Sequence, residues 1–414
     1  MSPQYLSPGV YIEEVEKGAR PIEGVGTAVA AFVGFAEKGP TNTPTLVSNW
    51  TQFRDTFGEF IEGSFLAHAV YGYFHNGGGT CYIVRIEQEA PEAAPPPAEG
   101  EAAAPARRRG KATVSASAFI GDAAKRTGLG GLEAVEEITM VVVPDLMAAF
   151  QQGALTMADV QAVQSAMMAH CEKMKDRFAI LDAPPGLTPQ QVKAWRTDEV
   201  KYDSKYGALY YPWIQVSNPL NGKPLLIPPS GHVAGVYARS DAERGVHKAP
   251  ANEIVRGALG LAVQVTKEEQ DILNPAGVNC IRAFPGRGIR IWGARTLSSD
   301  PSWRYINVRR LFNYVEESIE LGTQWVVFEP NDIDLWERVK RDITAFLTRV
   351  WRDGALFGTT PSEAFYVKCD AELNPPEVRD AGILIIEIGL APVKPAEFVV
   401  FRISQWAGGA AVSE

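Results

Sequence analysis

The chain has 414 residues, of which 46% are hydrophobic and 21% are charged, an ordinary balance for a folded globular protein. The formal net charge of -9 argues against a general nucleic-acid binder, which normally carries a basic surface. The four cysteines lie far apart and form no CxxC pair, so we expect buried thiols in a reducing compartment and no zinc site.

The first residues show no export signal, since they lack both a basic segment and an apolar core. No apolar run reaches the roughly 20 residues that cross a bilayer. The longest candidate, Ile138–Phe150, is interrupted by Pro144 and Asp145. We therefore expect synthesis and folding in the cytoplasm, without direct membrane insertion.

The first predicted element is a lone extended strand, Pro8–Lys17. In it Val10 and Ile12 share one face, while Tyr11 and Val15 share the other. An isolated strand leaves its backbone groups without partners, so it needs a sheet to join. That sheet lies either far along this chain or in another molecule.

Residues 21–87 mix short strands and helices. The unbroken apolar run Thr27–Phe35 predicts a buried strand, and Cys81–Ile86 predicts another. Helical spacing indicates helices at Asn49–Phe57 and Ser64–Asn76. Three glycines follow the second helix without the Lys-Ser/Thr of a phosphate loop, which favours a helix end and a turn.

Residues 88–112 form a stretch of Ala, Pro and Glu that ends in three arginines. It has almost no apolar surface to bury, so we expect a disordered surface loop with the arginines solvated.

Residues 113–286 alternate between strands and helices. The predicted elements are a strand at Ile138–Val143, a helix at Ala158–Lys175, and strands at Phe178–Leu181 and Tyr206–Trp213. A strand-end turn is expected at Pro144-Asp145. Strand, helix and strand at this spacing predict an α/β fold with a parallel or mixed sheet and crossover helices.

The last third gives a clearer pattern of strands and long helices. Strands are predicted at Val278–Phe284, Ile289–Leu297, Trp325–Phe328, Ile383–Leu390 and Phe398–Ile403, and a helix at Ile306–Thr323. A second long helix, Ile333–Asp353, follows Asp332.

This last helix has an arginine face. At about 100° per residue, its apolar residues form one broad face, and Arg338, Arg341, Arg349 and Arg352 fall within roughly 80° on the opposite face. One interpretation is a solvated face with internal pairing, such as Asp334 with Arg338. The other is a row of cations that faces an acidic partner and gives steering and register.

A catalytic triad is the main enzymatic alternative. Ser230 and His232 could combine with Asp145 or Asp182 at strand ends, but no G-x-S-x-G elbow is present. Gly231, beside His232, favours a loop where the backbone bends sharply. No metal or cofactor motif is found, so we predict a protein that is not an enzyme and needs no cofactor.

Several sequence motifs occur in a common order: SPGVYIEEV at the start, PPSGHVAGVYARSDAERGVHKAPAN at residues 228–252, and then WGARTL, WRYINVRRL, FEPND and IGLAPVKPAEFVVFRISQ. With these motifs the chain resembles the tail sheath proteins of contractile phages and of phage-derived extracellular injection systems. The resemblance covers most of the chain and is densest after about residue 225.

The resemblance implies a structural subunit. Sheath subunits stack as hexameric rings around an inner tube and shorten together, which drives the tube through a target envelope. The implied partners are copies of this chain, the inner tube protein, and baseplate and terminator or cap proteins, without nucleic acid. A particle made in the cytoplasm can be released as an extracellular particle or virion. The alternatives are a sheath-related baseplate or cap component and a hydrolase.

The resemblance also implies an architecture. We expect an outer α/β domain with a subtilisin-like fold and no protease activity, and an inner α+β domain whose small sheet is completed by strands from neighbouring subunits. The expected segments are an N-terminal extension strand (1–20), a small α/β segment packing with the outer domain (21–87), a disordered loop (88–112), the outer domain (113–286), the inner domain (287–395) and a C-terminal extension strand and tail (396–414).

Two sets of contact residues follow from the resemblance. The strands exchanged between subunits would use Val10, Tyr11, Ile12, Val15, Phe398, Val399, Val400, Phe401 and Ile403. The contact with the inner tube would use the arginine face, Arg338, Arg341, Arg349 and Arg352.

Overall fold

The computed structural model describes residues 21–87 and 114–402, and it forms two compact units. The large unit holds residues 26–314 and 392–402, and the small unit holds residues 21–25 and 315–391. The units divide at Val315, inside a long helix, whereas the sequence suggested a boundary at residue 287.

Strands and helices are numbered in chain order. The strands are β1 (Ala30–Gly34), β2 (Thr45–Val47), β3 (Cys81–Arg85), β4 (Met140–Val142), β5 (Phe178–Asp182), β6 (Gly207–Tyr211), β7 (Ile214–Ser217), β8 (Pro224–Ile227), β9 (Glu253–Ile254), β10 (Gly260–Leu261), β11 (Val278–Phe284), β12 (Gly288–Ile291), β13 (Phe365–Lys368) and β14 (Glu387–Leu390). The helices are α1 (Trp50–Phe57), α2 (Leu66–His75), α3 (Ala116–Ile120), α4 (Asp145–Gln151), α5 (Met157–Met174), α6 (Pro189–Ala194), α7 (Ser230–Arg244), α8 (Lys267–Leu273), α9 (Ile306–Gly322), α10 (Ile333–Arg352), α11 (Pro361–Ala364) and α12 (Pro376–Asp380).

A nine-stranded sheet forms the centre of the large unit, in the order β2-β3-β1-β4-β5-β6-β11-β12-β9. The six strands from β3 to β11 in this order run parallel, and the outer strands β2, β12 and β9 pair antiparallel. Every residue of β1, β4, β5 and β6 is buried, as expected for central parallel strands. The predicted α/β sheet with crossover helices is confirmed.

Helices α2 and α7 cross at short range because glycines remove side chains at the crossing. A Cβ on Gly231 would lie 2.4 Å from the Ala69 Cα, and one on Gly72 would lie 2.2 Å from the His232 ring. The prediction of a sharply bent loop at Gly231 is therefore wrong, since this glycine lies in a helix and permits close packing.

The small unit consists of the end of α9, α10 to α12 and the antiparallel pair β13-β14. Helix α10 begins at the predicted position, where the Asp332 side chain accepts a hydrogen bond from the Leu335 N–H at 2.8 Å. Its apolar face is buried as predicted, with Asp342 buried beside it.

Several predicted strands differ from the structure. Trp325–Phe328 is wrong, because residues 324–326 form a 3-10 turn and Val327 and Phe328 are exposed. The strand predicted to reach Leu297 ends at Ile291, and the turn predicted at Pro144-Asp145 is the start of α4. Residues 398–402 are described but form no strand within the chain.

No helix in the described ranges is long and apolar enough to cross a membrane. The four cysteines are buried and unpaired, as predicted.

Candidate interaction sites

The arginine face of α10 divides into two pairs. Arg338 and Arg349 have partners within the small unit, and Arg341 and Arg352 are exposed at the surface of the helix. Members of the two pairs alternate along the helix. At about 100° per residue, positions 338 and 349 lie nearer the apolar face than positions 341 and 352, so their side chains can reach partners within the unit.

Arg338 is held by the connection that precedes α10. Its guanidinium lies 3.8 Å from a Glu329 carboxylate oxygen and 5.5 Å from the centroid of the Trp325 ring. The predicted pairing with Asp334 is therefore wrong, because Glu329 takes that position. Arg338 braces the turn that carries the exposed Phe328, whose φ is 67°.

Arg349 donates a hydrogen bond to the Ile22 carbonyl, which ties the start of the small unit to the helix. Arg341 lies 3.5 Å from the buried Asp342 carboxylate, and its own side chain is 56% exposed. Arg352 makes no hydrogen bond or ion pair with the part of the chain that the structure describes. Arg341 and Arg352 are thus the members of the face with most capacity for an outside partner.

The C-terminal segment is apolar and exposed. Phe398, Val399, Val400 and Phe401 are between 68% and 82% exposed, one after another. Four consecutive exposed apolar residues are unusual on the surface of a monomer and mark a site of interaction.

The segment leaves the large unit at a polar clamp around Glu397. The Arg295 guanidinium donates to both Glu397 carboxylate oxygens, each at 2.8 Å. The Asn274 amide donates at 2.7 Å and the Tyr305 hydroxyl at 2.9 Å. Burial alone would raise the pKa of Glu397, but these donors hold the pKa below its usual range. The clamp fixes the point from which the exposed segment departs.

The β13-β14 sheet has open edges. Phe365 pairs with Leu390 and Lys368 with Glu387, and within the described residues neither strand has a second neighbour. An open edge offers backbone N–H and C=O groups to an added strand.

Ser230 and Asp182 form a helix cap and not a catalytic pair. The Ser230 hydroxyl donates to Asp182 at 2.5 Å and its N–H at 2.9 Å, both fully inside the core. His232 makes no hydrogen bond to Ser230 in the described structure, and burial lowers the pKa of its imidazole to about 3. Asp145 accepts instead from the Ser64 hydroxyl and the Phe35 N–H.

Five of the predicted contact residues, Val10, Tyr11, Ile12, Val15 and Ile403, lie outside the described residues. The clamp residues are not among the site residues predicted from the sequence. Arg295 lies in the motif WGARTL and Glu397 in IGLAPVKPAEFVVFRISQ, but nothing in their spacing of about 100 residues indicates a pair.

Two family descriptions match the chain. The phage tail sheath protein central domain matches residues 124–297, and the phage tail sheath C-terminal domain matches residues 298–405. A putative prophage major tail sheath protein of Pseudomonas aeruginosa is 28% identical over 96% of this chain and 97% of its own length.

Solved structures agree with these matches. The helical sheath of the anti-feeding prophage in its contracted state is 32% identical, with a TM-score of 0.75 over 97% of this chain and 100% of that one. The sheath complex of the extracellular contractile injection system called PVC, also contracted, is 29% identical, with a TM-score of 0.75 over 98% and 99%.

Proposed function

Because this chain belongs to the phage tail sheath family, as a sheath subunit of a contractile injection system or phage tail, we propose that its copies stack as hexameric rings around an inner tube. The rings shorten together and drive the tube through a target envelope. Baseplate and terminator or cap proteins bind the two ends of the stack. Assembly takes place in the cytoplasm, and the particle is then released.

The observation that carries this proposal is the exposed segment Phe398–Phe401 behind the Glu397 clamp. In a monomer these side chains face water, whereas a neighbouring subunit could bury them. Each apolar anchor that becomes buried stabilises the contact by about 1.5–3 kcal/mol. The segment is therefore a strand donor, and Ile403 continues its pattern.

The matching acceptor is the β13-β14 sheet of a neighbouring copy. Strand addition supplies main-chain hydrogen bonds, and side-chain pockets fix the register. The N-terminal strand, with Val10, Tyr11, Ile12 and Val15, enters the same shared sheet. Such links persist while other interfaces rearrange during contraction.

The arginine face of α10 contacts the inner tube. Arg341 and Arg352 reach the tube directly, while Arg338 and Arg349 shape the surface through their internal contacts. The segments of the chain have the roles expected from the family: residues 113–286 form an outer, subtilisin-like and non-catalytic domain, and residues 287–395 form the inner domain.

Deletion of residues 1–18 tests the proposal. We expect the truncated chain to remain folded, with an unchanged circular dichroism spectrum, and to form no long cylinders in electron microscopy. The full chain under the same conditions should give ringed cylinders. Intact cylinders from the truncated chain would contradict strand exchange, and single rings from the full chain would favour a baseplate or cap component.

A further inference from the structure

A hairpin at one side of the large sheet concentrates arginines on aromatic rings. It is formed by β11 and β12, which are joined by residues 285–287. The Arg287 guanidinium lies 5.5 Å from the centroid of Phe284 and 5.7 Å from that of Trp292. The Arg282 guanidinium also lies 5.3 Å from the centroid of Phe284. A third arginine, Arg290, belongs to β12. The two rings are themselves packed at 4.5 Å.

The guanidinium groups of Arg287 and Arg290 meet at Asn252. Arg287 donates to the Asn252 side-chain oxygen at 3.0 Å, and Arg290 donates to the Asn252 carbonyl at 2.7 Å. The Arg290 Nε also donates to the Arg287 carbonyl at 2.9 Å. These acceptors are all neutral. The same holds for Arg282, which donates to the Val265 carbonyl and the Gln270 side chain.

No carboxylate in the described part of the chain neutralises Arg287 or Arg290. Glu253, on the neighbouring strand β9, is paired with Lys248 at 2.8 Å and with Arg239 at 3.8 Å. Two cations therefore stand side by side at the surface, and no acidic side chain of residues 21–87 or 114–402 balances their charge.

The guanidinium groups of Arg287 and Arg290 are suited to binding a carboxylate. An arginine side chain has five N–H donors in a planar fork, and Arg287 uses one of them on Asn252. Contact with two aromatic rings restricts the guanidinium of Arg287, and its remaining donors have no hydrogen-bond partner among the described residues. A carboxylate bound by such a fork gains two parallel, charge-assisted hydrogen bonds.

We propose that Arg287 and Arg290 receive a carboxylate from a second copy of this chain. The inference rests on the proposed function, in which copies stack against one another. The chain carries 49 acidic and 40 basic residues, so its own surface supplies acidic partners in excess. A net charge of -9 repels nucleic acid and disfavours it as the occupant. The contact fixes the register of neighbouring subunits and speeds their encounter.

Replacement of both arginines tests the proposal. We expect Arg287→Gln with Arg290→Gln to raise the protein concentration needed for cylinder formation about tenfold at low salt. The same double variant should make this concentration depend less on sodium chloride. The control is Arg54→Gln with Arg379→Gln, two exposed positions that give the same change in net charge. Thermal unfolding should show all variants folded.

The outcomes separate the two proposals. If the full chain forms cylinders and both double variants do so at the same concentration and salt dependence, the arginine contact is wrong and the sheath proposal stands. If the full chain forms no cylinders under any condition, both proposals are overturned. Binding of duplex DNA that requires Arg287 and leaves cylinder formation unchanged would assign the site to nucleic acid and overturn this inference.

Arg287→Lys with Arg290→Lys identifies the partner. Lysine keeps the charge and can be joined directly to a bound carboxylate by a carbodiimide. In cylinders made from equal amounts of unlabelled and nitrogen-15 chains, we expect cross-linked peptides of mixed isotope content at the introduced lysines. Cross-links that join only peptides of the same isotope content would place the carboxylate in the same chain and contradict the proposal.

Discussion

Buried carboxylates at strand ends hold helices in place. Asp182 ends β5 and accepts two hydrogen bonds from Ser230 at the start of α7. Burial raises the pKa of Asp182 to about 7, and the Ser230 donors only partly oppose it. Burial likewise raises the pKa of Asp145 to about 6. Both carboxyl groups are therefore protonated more easily in the folded state than in the unfolded chain, and both accept hydrogen bonds at the end of the sheet.

This shift gives stability a pH dependence. Between about pH 4 and pH 7 the folded state retains the Asp182 proton that the unfolded chain has released, so this contribution to stability falls as the pH rises. Asp182→Asn keeps one acceptor and removes the titration. We expect the loss of stability from pH 4 to pH 7 to become smaller in the variant, by on the order of 1 kcal/mol per pH unit. Urea unfolding followed by tryptophan fluorescence measures it.

The control for this measurement is Asp198→Asn, which makes the same chemical change at an exposed position. His232 acts in the opposite direction, because burial lowers its pKa to about 3 and its contribution is lost as the pH falls from about 6.5. The test is therefore the difference between Asp182→Asn and the unchanged chain. Equal slopes in the two proteins would show that Asp182 does not titrate in this range.

At the residue scale the sequence located these carboxylates and named Ser230 with them, but in a catalytic triad and not in a structural contact. Asp145 and Asp182 follow apolar runs and are recognisable as strand ends. Their donors, Ser64 and Ser230, come from distant positions that only the folded sheet brings close. For the same reason the Arg295–Glu397 pair could not be predicted.

At the element scale, length and periodicity decided which predictions were confirmed. Helix α10 was predicted within a residue of its end, because eight apolar residues repeat at helical spacing. The short run Trp325–Phe328 looks like a strand but pairs with no strand of the described residues, and its first residues form a 3-10 turn. Strand β13 is not predicted, because its four residues form neither a continuous apolar run nor a clear alternation. Its partner β14 lies about twenty residues away, so no hairpin turn indicates the pair either.

The two pairs within the arginine face predict different effects of substitution. Arg352→Glu changes an exposed group, so we expect stability within about 0.5 kcal/mol of the unchanged chain. Adding Arg341→Glu also removes the contact with the buried Asp342 carboxylate and costs about 1 kcal/mol or more, and we expect this double variant to co-assemble clearly more weakly with the tube. Arg338→Gln with Arg349→Gln removes internal contacts, and we expect a loss of about 1 kcal/mol or more in stability. Thermal unfolding and co-sedimentation with purified tube measure the two effects.

Equal co-sedimentation of the Arg341 and Arg352 double variant and the unchanged chain would mean that the face is solvated. Glu337→Lys serves as a control for a charge change on the same helix, since Glu337 is exposed outside the arginine face.

At the scale of the whole molecule, the buried sheet that supports the fold and the exposed segments available for contacts are separate parts of the chain. The nine-stranded sheet buries its central strands completely within the large unit. The exposed Phe398–Phe401 segment and the open β13-β14 edges, in contrast, have no partner strand among residues 21–87 and 114–402. The sequence predicts the support from apolar runs. It predicts strand exchange only through the resemblance, because a lone strand by itself leaves open whether its sheet lies in this chain or in another molecule.

This separation predicts the behaviour of a mixed assembly. A chain that ends at Glu397 keeps the clamp with Arg295 and should fold normally, but it donates no C-terminal strand. When it is added to full-length chains at constant total concentration, each incorporated copy leaves an acceptor edge of a neighbour empty and weakens further growth. We expect mean cylinder length in electron micrographs to fall steadily as the truncated fraction rises. Full-length chains diluted with buffer to the same concentration are the control, and cylinders as long as theirs in the mixtures would show that the C-terminal strand does not link subunits.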